Sequence, residues 1–135
     1  MFSKPRAGRT TLSLPGFSDS ASDLTDIPND MLDALINYYR NNVPLVVKFD
    51  AEGSDYILIS DCTSTYIIRQ KAEAEFIEIE NFSIYKLTRH FLVDIERDFD
   101  DWCLWLLYVG DDLAQYQYEL KTKLSMLRGF FAAQK

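Results

Sequence analysis

The chain has 135 residues, 47% hydrophobic and 26% charged, with 21 acids against 14 bases, one histidine and two cysteines. This composition fits a folded globular chain, and its net charge of −7 is opposite in sign to that expected of a nucleic-acid binder. The longest unbroken apolar run, 102–109, falls far short of the roughly 20 residues a membrane-spanning helix needs, so no membrane partner is expected.

Residues 1–26 are rich in Ser, Thr, Gly and Pro. They are read as a flexible leader, with Leu12, Leu14 and Phe17 able to dock on the body. No apolar stretch follows Lys4, Arg6 and Arg9, so the start does not resemble a secretory signal. The remainder, 27–135, is expected to form a single α+β domain. Residues 27–41 predict a helix: Pro28 suits its first turn, and Met31, Leu32, Leu35, Ile36 and Tyr39 recur at three and four. Asn41, Asn42 and Pro44 end it.

From Val43 onward the pattern changes to strands. Val43–Phe49, Tyr56–Ile59, Tyr66–Ile68 and Phe76–Ile79 are separated by the polar turns at 52–54, 61–64 and the 70s, and Phe82–Leu87 continues the last run. Residues 90–109 fit two templates. Leu92, Ile95, Phe99, Trp102, Leu106 and Val109 match a heptad, but 91–100 also alternates apolar and polar. A helix would stack Asp94 on Asp98 and Glu96 on Asp100 as repelling pairs. The reading adopted is a strand, a turn at 98–101 and a buried strand at 102–109. Gly110 breaks it, and Leu113, Tyr116, Leu120, Leu124, Leu127 and Phe131 mark a long amphipathic helix. The expected fold is therefore an N-terminal helix, an antiparallel meander of five or six strands and a long C-terminal helix.

Cys62 and Cys103 are too few for a disulfide framework and are expected to be reduced, buried thiols of a cytoplasmic protein. Asp94, Glu96, Asp98 and Asp100 alternate like a calcium loop but lack its glycine and terminal glutamate, so only an irregular, weak calcium site is conceivable. Gly110-Asp111-Asp112 resembles a polymerase metal turn, yet reads more simply as a strand-to-helix turn with its cap. His90 has no evident nucleophile or second histidine to work with, and no phosphate-binding loop or nucleophile elbow is present. No cofactor, no metal site and no enzymatic activity are expected.

What remains distinctive is the placement of charge. Within 91–119, eight acids oppose a single base, Arg97, so this stretch alone carries the net charge of the whole chain. Both templates for 90–109 put Asp94 and Asp98 on one exposed surface. Solubility is one reason for such a surface, and an electrostatic landing site for a basic protein is another. The candidate contact residues are Asp94, Asp98, Asp100, Asp101, Asp111 and Asp112, then Glu78 and Glu80. Trp102, Trp105, Tyr108, Tyr116 and Tyr118 lie nearby in sequence and would anchor a partner wherever exposed. The expectation is a small acidic binding protein that occupies a basic partner. Its sharpest form is an immunity- or antitoxin-like inhibitor of a toxin, for example a nuclease. A dimeric secretion chaperone or assembly protein is the alternative, and a weak calcium-binding regulator comes third. Oligomeric state is not legible.

Overall fold

A computed structural model of the chain describes residues 1–70, 72–106 and 112–134. It is α+β, but no helix comes first. The chain opens with a β-hairpin, β1 (Arg9–Leu14) and β2 (Phe17–Ser22), in the segment expected to be a flexible leader. Thr10, Leu12 and Leu14 alternate inward along β1, and Phe17 and Ala21 do so on β2. Pro15 and Gly16 form the two-residue turn between paired Leu14 and Phe17. Gly16 takes φ +81°, the left-handed position that follows proline in a type II turn. Phe2 goes inward as well, its ring meeting Phe49, Phe91 and Trp102 at centroid distances of 6.0, 6.2 and 5.6 Å.

Helix α1 (Ile27–Asn41) occupies the predicted span and buries Met31, Leu32, Leu35 and Ile36. It ends at Asn42, whose φ of 57° lets its N–H reach the Tyr38 carbonyl. Four strands follow as an antiparallel meander in sequence order: β3 (Leu45–Asp50), β4 (Asp55–Ser60), β5 (Thr65–Gln70) and β6 (Glu75–Ile79). The described sheets thus have two and four strands, in place of one sheet of five or six.

The expected strand at 91–100 is helical, and that at 102–109 is helical in its first two residues, its last three lying outside the described residues. Phe82 to Leu87 does not extend β6. Instead α2 (Ile84–Arg97) takes up this run together with the expected strand at 91–100, and α3 (Phe99–Cys103) replaces the start of the expected strand at 102–109. Ile84, Leu87, Thr88, Phe91, Asp94 and Ile95 form its buried stripe at helical spacing. The like-charge pairs that argued against a helix are removed locally. Arg97 sits between Asp94 and Asp98 at 3.3 and 2.8 Å, Glu96 pairs with Arg128 at 2.6 Å, and α2 ends before Asp100. The long C-terminal helix, α4 (Leu113–Ala132), is present as predicted, burying Tyr116, Leu120, Leu124 and Leu127.

The hairpin and helices lie on one side of the four-stranded sheet. Helix α1 packs on β3, α4 on α1, and α2 and α3 on α4. Phe17 meets Tyr56 edge-on at 5.2 Å, and the Tyr56 hydroxyl donates to the Ser20 carbonyl at 3.0 Å, so the hairpin closes the end of that layer. The basic face of α4 serves the same packing. Lys123 reaches Asp33 at 2.8 Å and Asn29 at 2.9 Å, and Tyr116 donates to Asp26 at 2.6 Å, all on or beside α1.

Candidate protein-docking surface

The acids singled out by the sequence do not form one open patch. Asp94 is only 5% exposed. Its carboxylate accepts the Phe2 backbone N–H at 2.7 Å, lies 3.3 Å from the Met1 ammonium and 3.3 Å from Arg97. The Asp98 side chain is 10% exposed and is held by Arg97, while Asp101 lies 3.7 Å from Lys4. The expected exposure of Asp94 and Asp98 is therefore corrected: each is turned toward a cation of its own chain. Asp100 and Asp112 are exposed, and Asp111 falls outside the described residues. Trp102 and Trp105 are each 1% exposed and Tyr116 is buried, so they are core. Tyr118 is open to solvent, and Tyr108 lies outside the described residues.

Glu78 and Glu80 have a different setting. Both are exposed on or just beyond β6, at the edge of the four-stranded sheet. Among the described residues neither has a salt-bridge partner, whereas their neighbour Glu75 is taken by Arg69 at 3.0 Å. Arg69 is also 3.6 Å from Asp19 of the hairpin and lies over the Phe17 ring, so it is committed to the fold.

These glutamates border an apolar surface. Strand alternation divides the sheet into two faces. Leu45, Val47, Phe49, Tyr56, Leu58, Ile67 and Ile79 point to the hairpin and helices and are buried. The opposite face follows from the register. One row runs Val46, Ile59, Tyr66, Glu78; the next runs Lys48, Ile57, Ile68, Phe76. Val46 is 59% exposed and Phe76 65% exposed, and Ile57, Ile59, Tyr66 and Ile68 between them are half-buried. None of these six belongs to the core cluster or packs against it. The Tyr66 and Phe76 rings lie side by side, 4.9 Å apart, so the aromatic end of the face is next to Glu78. Lys48 is paired with Asp55 at 3.3 Å at the other end.

A signal for this face was present in the sequence. Tyr56-Ile57-Leu58-Ile59 and Tyr66-Ile67-Ile68 are apolar at both parities, the pattern of strands covered on both faces. Here the chain covers only one of them among the described residues.

The other candidate chemistry is sparse. His90 is exposed and stacks on Phe82 with centroids 5.6 Å apart. Cys62 is exposed, contrary to the expectation of a buried thiol, while Cys103 is buried, which pushes its thiol pKa up to about 11. Asp61 closes the β4–β5 turn by accepting the N–H groups of Thr63 and Ser64, each at 2.9 Å, together with the Thr63 hydroxyl. These bonds lower its pKa. Among the described residues no group of three or more His, Cys, Asp or Glu is arranged to hold a metal ion. Nor is any described helix long and apolar enough to cross a membrane.

Comparison of the chain with protein-family models, with curated proteins and with solved structures finds no match.

Proposed function

We propose that this chain is a protein-binding module that works by occupying a basic partner, and that its contact surface is the open face of the β3–β6 sheet with Glu78 and Glu80 at its rim. One observation carries this reading: β4 and β5 are apolar on both faces, yet among the described residues the hairpin and helices cover only one. A contiguous exposed apolar face rimmed by polar residues is the usual mark of an interaction site. Glu78 and Glu80, without a salt-bridge partner among the described residues, make cationic side chains the favoured neighbours, raising association rate and selectivity more than bare affinity. An inhibitor of a toxin, immunity-like in action, is the sharper form of this proposal. It departs from the sequence reading in one respect, since the acids of α2 and α3 give up the contact role to the sheet.

The same face also supports the alternative of a dimeric assembly protein, because an uncovered sheet can meet a second copy. The face alone is small for either occupant, so the contact must extend past it. Four strands about 4.8 Å apart give an apolar area on the order of 300 Å², against about 800 Å² per partner in a standard stable interface.

The test compares what three immobilised proteins retain from native cells. Wild type and Asp100→Lys should hold the same partner, while Phe76→Ser/Glu78→Lys should lose it. Retention by the face variant, or loss by Asp100→Lys instead, would contradict the proposal.

A further inference from the structure

We infer that β6 receives an extended basic segment of the partner as an added fifth strand, with lysine or arginine beside Glu78 and Glu80 and a bulky apolar residue beside Phe76. This rests on the docking-face reading above and specifies how the partner is held. The first ground is topological. β6 ends the sheet order and pairs on one side only, with β5. No backbone hydrogen bond outside that pairing involves residues 75–79 among the described residues, so one side of the strand offers free N–H and C=O groups.

The second ground is charge, which decides between occupants. Glu73, Glu75, Glu78 and Glu80 fall within eight positions, and only Glu75 has a cationic partner among the described residues. Pairing β6 with the β6 of a second copy would set two such rows of carboxylates along one seam, and like charges across strands are destabilising. An edge built this way repels its own kind and admits a cationic strand. The third ground is size: the apolar face falls short of a standard interface, and a partner that also adds a strand gains main-chain hydrogen bonds and the edge area together.

Alternation fixes the sequence of the guest. Phe76 and Glu78 are two positions apart and share the outer side of the strand, and Glu80 lies in the turn just beyond its end. An antiparallel guest therefore reads basic, any, basic, any, bulky apolar. The probe is a fluorescent peptide, Thr-Lys-Val-Lys-Val-Phe-Thr. It is compared with a version carrying Glu for both Lys, and with one N-methylated at the backbone nitrogen of the second Lys, the residue opposite Glu78, which keeps the charge but removes an N–H directed at β6. Fluorescence anisotropy with the full chain should show the lysine peptide binding about tenfold or more tighter than either control. Glu78→Lys/Glu80→Lys should weaken it by a similar factor and bring the glutamate peptide to comparable affinity, with the circular dichroism spectrum unchanged.

Equal binding of the N-methylated peptide would reduce the effect to charge attraction and overturn strand addition. Absence of binding by all three peptides would overturn it too. The docking-face reading would then still stand if Phe76→Ser/Glu78→Lys lost the cellular partner, and would fall with it if that variant kept the partner.

Discussion

The Asp94 carboxylate ties the start of the chain to α2, accepting from the Phe2 backbone, lying beside the Met1 ammonium and meeting Arg97 of its own helix. Removing it strands a buried N–H and a buried cation, so Asp94→Ala is expected to cost about 2–4 kcal/mol. Asp100→Ala, at an exposed acid six positions on, should stay within about 0.5 kcal/mol of wild type. Urea denaturation of the two variants separates them, and equal midpoints would remove Asp94 from the interior. Asp61 gives a pH-dependent counterpart. Its turn hydrogen bonds hold its folded pKa below the unfolded value of about 3.9, so its contribution is complete above that value and disappears as the pH falls through the folded pKa. The side chain is partly in water, so the advantage over Asp61→Ala at pH 7 is at most about 1 kcal/mol. It should shrink when the same melts are run near pH 3, and a gap that stays constant would contradict the charge-assisted turn. Residue identity alone revealed the excess of acid in 91–119. It did not reveal which acids have partners, because Arg128, Lys4 and the Phe2 N–H come from distant parts of the chain.

At the scale of elements, α1, α4 and the strands β3 to β6 were legible because each carries one clear period and a terminator: Asn42 with Pro44 for α1, and polar turns between the strands. The hairpin is less legible for a different reason. Leu12, Leu14 and Phe17 are apolar enough to dock, but the strands that carry them are short and polar between, and Pro15-Gly16 is the turn of a hairpin. Leu12 is fully buried, so Leu12→Ala should cost about 2–5 kcal/mol as a core truncation. A mobile leader would make the same substitution silent in a thermal melt. α2 was missed because its period-2 alternation and its heptad coincide between 91 and 100. The choice was settled by long-range packing of Ile84, Leu87, Phe91 and Ile95, together with the pairing of Arg97 and Arg128 to acids that would otherwise repel.

At the scale of the whole molecule, the layers are lopsided. Hairpin and helices crowd one side of the sheet, and an apolar face with a glutamate rim is left on the other. The α+β class was legible from the order of periods, but this asymmetry was not, since periodicity says that a face is apolar and not what covers it. Hydroxyl-radical footprinting of the complex between wild-type protein and its cellular partner addresses the asymmetry directly. Phe76 and Tyr66 report the open face, and Tyr118, 67% exposed on α4, reports the helix that follows Asp112. Oxidation of Phe76 and Tyr66 should fall several-fold on complex formation while Tyr118 reacts as in the free protein. Protection of Tyr118 with Phe76 still fully reactive would contradict the account.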